Sequence, residues 1–181
     1  MRQSQSFAVW LTGLPASGKS AIAAALRPRL EALGLRVEVL ESDALRRSLT
    51  PSPTYSREER DLFYRAMAFL GGRLVAHGVT VIFDATANRR EYRDLARGLI
   101  ARFMEVAVEC PLEVCMARDQ KGTYRKALAG ESTTVPCLQE TYEPPPQPDV
   151  LIESATTKPE VAVEQILSAL RARGYLTEQN R

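Results

Sequence analysis

The run Gly13-Leu14-Pro15-Ala16-Ser17-Gly18-Lys19-Ser20 has the residue types and spacing that hold a nucleoside triphosphate. It matches G-x-x-x-x-G-K-[ST], a loop whose backbone N–H groups turn inward on phosphate oxygens. An apolar stretch, Phe7-Ala8-Val9-Trp10-Leu11, precedes it, and a helix-patterned stretch beginning Ala21-Ile22-Ala23 follows. That is the strand, loop and helix order the motif requires. The helix N-terminus adds partial positive charge behind the loop. Gly13, Leu14, Pro15, Ala16, Ser17 and Gly18 are therefore expected to cradle ATP. Lys19 would reach the β- and γ-phosphates as a catalytic cation, and the Ser20 hydroxyl would ligate Mg²⁺. Moving a phosphoryl group also needs something that orients the attacking hydroxyl.

Asp43 stands just past a second apolar stretch, where an acceptor hydroxyl would meet the γ-phosphate. It is assigned as catalytic base or Mg²⁺-shell orienter and as an acceptor contact; a helix N-cap is compatible with the same position. Asp84 ends a third apolar stretch, the place for a carboxylate that reaches Mg²⁺ through water or closes on the acceptor. Arg46 and Arg60, with Arg65 as a weaker third, suit a bidentate clamp on an anionic acceptor. The cation-rich stretch Arg118-Asp119-Gln120-Lys121-Gly122-Thr123-Tyr124-Arg125-Lys126 reads as part of a lid, about 116–136, that closes over phosphates and expels water. Arg118 falls on the ATP side. His77 precedes a helix-ending glycine and is given no chemical role.

These residues need a scaffold, and the apolar periodicity supplies one. Strands are expected at 7–12, 36–40, 79–83, 104–108 and 150–152. A helix after the loop carries Ile22, Leu26, Leu30 and Leu33 on one face and stops at Gly34. Ala44 to Leu49 forms one or two turns, broken by Pro51 and Pro53. Ser56 and Glu59 make a capping box for a helix with Leu62, Ala66, Phe69, Leu70 and Leu74 inward, closing at Gly78. Another helix covers about 89–102, and Pro111 opens a further one. Pro144-Pro145-Pro146 is a stiff surface crossing. Thr157 and Glu160 are read as a second capping box, for a helix ending near Gly174, with 175–181 frayed. Alternating strands and helices mean a mostly parallel five-stranded sheet covered on both faces, an α/β three-layer sandwich of the P-loop NTPase type. Residues 1–181 read as a single kinase domain, with ligands at the carboxyl ends of the strands.

With 181 residues, 45% of them hydrophobic and 25% charged, the chain has enough apolar mass for one core. A net charge of only +2 argues against a nucleic-acid partner. Cys110, Cys115 and Cys137 show no C-x-x-C spacing and suit idle thiols in a reducing cytoplasm. No apolar run is long enough to cross a membrane, and no signal-peptide core opens the chain. The expected partners are two small molecules, ATP and an anionic hydroxyl acceptor.

Several stretches resemble the adenylyl-sulfate kinase family, whose members phosphorylate adenylyl sulfate on its ribose 3′-hydroxyl. Trp10-Leu11-Thr12-Gly13-Leu14 is one. Pro111-Leu112-Glu113-Val114-Cys115 is another, continuing through Arg118-Asp119, Lys121-Gly122, Lys126-Ala127 and Ala129-Gly130-Glu131; Tyr142-Glu143-Pro144 is a third. The similarity runs over nearly the whole chain, and its 111–131 part is far more specific than the phosphate loop. The resemblance implies that Asp43 is the acidic residue beside the acceptor, and Arg46 and Arg60 the arginines for adenylyl sulfate. It makes Tyr55 the aromatic that stacks on the acceptor's adenine, and Lys121 the lid lysine following its anionic tail. It also suggests a dimer.

The chain departs from the family pattern on the acceptor side. Glu41-Ser42-Asp43-Ala44 replaces Asp-Gly-Asp-Asn, and Phe63 stands where an asparagine is expected. Asp84-Ala85-Thr86-Ala87-Asn88-Arg89 replaces an Ile-Ser-Pro-Tyr-Arg-like exit, and Val135-Pro136-Cys137-Leu138 replaces Phe-Thr-Gly-Ile. The last change removes the second ring of an adenine sandwich. A relative retuned to another small hydroxyl acceptor, a non-catalytic nucleotide sensor and a nucleic-acid end kinase are the competing readings.

Overall fold

The computed structural model describes residues 6–176. Its chain alternates β1 (Ala8–Thr12), α1 (Lys19–Ala32), β2 (Val37–Glu41), α2 (Ser42–Leu49), α3 (Arg57–Ala76), β3 (Thr80–Asp84), α4 (Arg90–Leu99), β4 (Phe103–Glu109), α5 (Leu112–Ala117), α6 (Thr123–Leu128), β5 (Val150–Glu153) and α7 (Pro159–Ala172). The five strands form one sheet in the order β2-β3-β1-β4-β5, and every pairing is parallel. The sheet is thus wholly rather than mostly parallel. No helix among the described residues is long and apolar enough to cross a membrane.

Both faces of the sheet are covered, so β1 and β3 at its centre are buried at every position. Alternation still decides which residue enters which core. Val9 and Leu11 of β1 pack with α1 and α7 through Ile22, Leu26, Ile166 and Leu170. Ala8 and Trp10 turn the other way, toward Phe63 and Met67 of α3 and Ala96 of α4. Trp10 stacks on Phe83 with ring centroids 4.4 Å apart and donates Nε1–H to the Ala85 carbonyl at 3.1 Å. That bond fixes the loop leaving β3.

α3 is turned relative to the sequence expectation. Leu62, Phe69 and Leu70 are exposed, whereas Phe63, Tyr64, Met67, Ala68 and Gly71 face the sheet. Two apolar stripes run side by side along this helix, and periodicity alone does not rank them. The bare Gly71 backbone lies against the Phe83 ring, where any Cβ would collide with it. That contact selects the inward stripe. α7 differs as well: it starts with Pro159 at its first position and Lys158 as N-cap, without a side-chain cap from Thr157 or Glu160. Proline at the first helical position needs no capping partner for its missing N–H. The expected fraying at the end of the chain fails at its start, because Tyr175 stacks on Phe7 and Leu176 is buried. Residues 177–181 lie outside the described residues.

Candidate active site

β1 runs directly into the phosphate loop, and α1 begins at Lys19. Gly13 passes so close to the Val108 carbonyl that no side chain fits there, and Gly18 adopts φ +99°. Both positions therefore require glycine. Two contacts from distant segments brace the loop, and its own lysine adds a third. Ser154, at the exit of β5, donates to the Ser17 carbonyl at 2.6 Å, Tyr124 of α6 donates to the Pro15 carbonyl at 2.9 Å, and Lys19 Nζ donates to the Gly13 and Leu14 carbonyls at 3.0 and 2.7 Å. Sequence reasoning missed Ser154 and Tyr124, whose only local signals are a strand exit and a lid aromatic.

Lys19 is 7% exposed, and burial lowers its pKa to about 8, opposed chiefly by the Asp84 carboxylate. Asp84 is itself buried. That burial raises its pKa, while a hydrogen bond from Ser20 and the charge of Lys19 act in the opposite direction. Asp84 thus stands beside the loop's cation and hydroxyl. No group of three or more His, Cys, Asp or Glu able to hold a metal by itself occurs among the described residues. The oxygen donors of Ser20 and Asp84 nonetheless suit a hard divalent cation that brings phosphate oxygens as its remaining ligands. Arg118 donates to the Ser154 carbonyl at 3.2 Å, at the edge of the same loop.

Across the cavity, α2 and α3 carry a second group. Asp43, at the start of α2, is held by Lys121 Nζ at 2.6 Å; the same ammonium reaches Glu41 at 3.4 Å. The hydrogen bond to Asp43 raises the Lys121 pKa. Arg46 is 7% exposed and lies over the rings of Phe63 and Tyr55, 3.9 and 4.9 Å from their centroids. Arg60 donates Nε–H to the Tyr55 carbonyl at 3.0 Å, and its Nη atoms to Asn88 Oδ1 at 3.3 Å and the Thr134 carbonyl at 2.6 Å. Phe63 therefore does more than stand where an asparagine was expected, because it forms the floor on which Arg46 rests. Arg65 is exposed on the outer side of α3 and does not line this cavity.

The loop behind Arg60 is secured by a residue that nothing in the sequence singled out. Arg93 is fully buried and donates to Glu105 at 2.6 Å, to the Glu143 carbonyl at 2.6 Å and to the Ala87 carbonyl. Burying a guanidinium is tolerated only when its donors are matched like this. Asn88 adds a bond to the Thr141 carbonyl at 3.1 Å, so side-chain bonds tie the 84–88 loop to the 141–143 segment.

Together these groups line one cavity of ≈ 900 Å³ that contains the phosphate loop, Asp43, Arg46, Tyr55, Arg60 and Lys121. The lid borders it through Arg118 to Lys121, α6, and the loop through Thr134, Val135 and Pro136. The remaining thiols are free, and none lines the cavity. His77 sits at the C-cap of α3, hydrogen-bonded to Arg73.

A parallel sheet with this loop at the end of its central strand, and a two-sided cavity above it, defines a P-loop phosphotransferase. Residues 5–153 match the family model described as Adenylylsulphate kinase. The chain is 39% identical over 168 residues to the adenylyl-sulfate kinase of Synechococcus sp. (strain JA-3-3Ab), covering 93% of this chain and 96% of that one. Its structure resembles that of the Mycobacterium tuberculosis APS kinase solved with AMPPNP and APS. There the TM-score is 0.86 and the identity 31%, over 92% of this chain and 98% of that one. A hexameric APS kinase from Thiobacillus denitrificans matches with TM-score 0.72 and 28% identity, over 97% of this chain and 31% of that longer chain. The chain belongs to the adenylylsulphate kinase family, and it is an ATP-dependent kinase.

Proposed function

We propose that this enzyme transfers the γ-phosphoryl group of Mg–ATP to the ribose 3′-hydroxyl of adenylyl sulfate, giving 3′-phosphoadenylyl sulfate. The observation that carries the reading is the convergence of Asp43, Arg46, Tyr55, Arg60 and Lys121 opposite the phosphate loop in one cavity. On this reading the loop amides, Lys19 and Ser20 hold ATP, with Arg118 at their edge, and Ser20 with Asp43 and Asp84 would hold Mg²⁺. The metal would neutralise charge on the phosphates. Lys19 must leave the Gly13 and Leu14 carbonyls to meet phosphate, and Lys121 must release Asp43 before that carboxylate can take the hydroxyl proton. Arg46 and Arg60 supply the positive charge for the phosphosulfate, and Tyr55 offers a ring to the adenine. Residues 1–181 act on this reading as one kinase domain with 116–136 as its lid, working in the cytoplasm on small molecules.

The test is a coupled ATP-consumption assay with adenylyl sulfate as acceptor, followed by identification of the 3′-phosphorylated product. Product at a micromolar KM, within the ordinary range for enzymes on their own substrates, is expected. Measurable ATP binding with no product would overturn the acceptor assignment. One observation favours a second reading, a different hydroxyl acceptor: opposite Tyr55 the lid brings Thr134, Val135 and Pro136 rather than a second ring.

We further propose that the enzyme works as a homodimer. The outer face of α3 and α4 supports this, since Leu62, Phe69, Leu70, Leu95 and Leu99 are all exposed there and Leu99 lies beside Gly72. An exposed apolar patch of this kind marks an interaction surface. Phe69→Glu should turn a dimer into a monomer in light scattering, and a monomeric wild type would refute the proposal.

A further inference from the structure

One of the two residues read as the capping box of α3 does more than cap it. Ser56 Oγ accepts the Glu59 N–H at 3.2 Å, one arm of a capping box. The reciprocal arm, from the Glu59 carboxylate back to the Ser56 N–H, is absent; Thr54 Oγ1 takes that N–H at 3.3 Å. The Glu59 carboxylate instead reaches further back along the chain and across to α2. Its Oε2 accepts the Thr54 N–H at 2.6 Å and the Thr54 hydroxyl at 2.8 Å. Its Oε1 accepts the Tyr55 N–H at 3.3 Å and Arg46 Nη1 at 3.1 Å. The carboxylate thus gathers donors from three residues while its side chain is only 15% exposed.

Two of those donors belong to residues already placed on the acceptor side. Tyr55 adopts φ +55°, a left-handed conformation that residues other than glycine rarely take. Such a conformation persists only where the surroundings fix it. Here they do so from both ends: Glu59 takes the N–H of Tyr55, and Arg60 Nε donates to its carbonyl at 3.0 Å. The backbone so held sets the Tyr55 ring over the Arg46 guanidinium, and the same guanidinium lies over Phe63. Arg46 is in turn tied to Glu59. A helix cap alone would require none of these contacts to converge on one carboxylate.

We infer that Glu59 is a positioning residue for the acceptor subsite, locking the Tyr55 ring and the Arg46 guanidinium into one preformed surface for an anionic, aromatic acceptor. It touches neither substrate nor reacting atoms on this assignment; it acts through Arg46 and Tyr55. The inference rests on the adenylyl-sulfate reading given above. It assigns to a capping-box residue a share of the substrate's binding, and it explains how one ring serves where a sandwich of two is missing. Preorganisation of that single ring lowers the ordering cost of binding.

The experiment compares Glu59→Gln with Ser56→Ala in steady-state kinetics and thermal melting. Glutamine suits the same capping position and keeps an acceptor oxygen, but it removes the charge facing Arg46. Glu59→Gln should raise the adenylyl-sulfate KM about tenfold or more, with kcat at saturation and the ATP KM near wild type. Ser56→Ala removes the cap without touching Arg46 or Tyr55. It should lower Tm by about 2–4 °C and leave the acceptor KM unchanged. If Glu59→Gln is not recovered folded, Thr54→Val removes a hydroxyl donor from the same carboxylate and should raise the acceptor KM severalfold. An acceptor KM that stays within about twofold of wild type in the variant that folds overturns the inference. So does a loss shared equally among kcat and both KM values. A wild-type enzyme that neither binds nor phosphorylates adenylyl sulfate marks the failure of the substrate reading itself, and this inference falls with it. An active wild type with an unmoved Glu59 variant marks the failure of the inference alone.

Discussion

The two halves of the cavity are built in different ways. The ATP half is a short, continuous piece of chain, 13–20, whose shape follows from its glycines and from the strand and helix that bracket it. Its outside contacts, Ser154 to Ser17 and Tyr124 to Pro15, reach loop carbonyls and brace a form already set by the backbone. The acceptor half has no such continuity. It draws Asp43 and Arg46 from α2, Tyr55 from a connecting loop, Arg60 and Phe63 from α3, Asn88 from the β3 exit and Lys121 from the lid. Side-chain contacts between those segments hold it together. A site written in backbone tolerates little substitution, whereas one written in side chains can be retuned piece by piece. The departures from the family pattern fall on that second half.

The largest expected effect comes from breaking the ATP half. Lys19→Ala should lower turnover by about 10²–10³-fold, the usual loss when a preorganised charge on the transition state is removed, with the far-UV spectrum unchanged. Substantial remaining activity would refute the donor assignment. At the junction of the halves, Asp43→Ala should lower kcat by about 10²-fold or more while ATP binding stays near wild type. Normal turnover in that variant would rule out the base or orienter role.

Within the acceptor half, Tyr55→Ala should raise the acceptor KM by the equivalent of about 1–3 kcal/mol, the worth of one base–aromatic stack, without moving the ATP KM. Equal changes in both would mean that the halves are not separable. The smallest effect is a pH dependence confined to the ATP half. Lys19 carries its proton below its pKa of about 8, so kcat/KM for ATP should be full below that pH. Above it the value should fall about tenfold per unit as the cation is lost. The acceptor KM should not follow that limb. The linkage to folding has the opposite sense: a lysine with lowered pKa binds fewer protons folded than unfolded between about 8 and 10.5. Stability should therefore rise with pH through that window, which urea unfolding at successive pH values would read.

Much of the scaffold was legible because it depends on local pattern. Each of the five strands lies within about two residues of its expected position, since apolar runs bounded by polar turns mark buried parallel strands. The face of α3 was misjudged because the helix carries two apolar stripes, and only the approach of Phe83 to Gly71 selects one. The second capping box failed at Thr157 because Pro159 starts α7 without a side-chain partner. Ser56 and Glu59 did start α3, but the direction of the Glu59 carboxylate depended on Arg46, thirteen residues away on another helix.

The sequence by itself determined the phosphate loop, because glycine at Gly13 and Gly18 and a cation at Lys19 are requirements of the backbone and of phosphate chemistry within one short segment. It determined the parallel α/β order for the same reason, as each strand and helix announces its own period. Only the tertiary structure decided what Glu59, Asn88, Arg93 and Ser154 do. Their roles include hydrogen bonds to groups as far as 13 to 137 positions away in the chain, and a single sequence does not encode which distant partner a carboxylate, amide, guanidinium or hydroxyl will meet. Packing supplies that answer, by burying those polar groups and leaving each one a partner it must find.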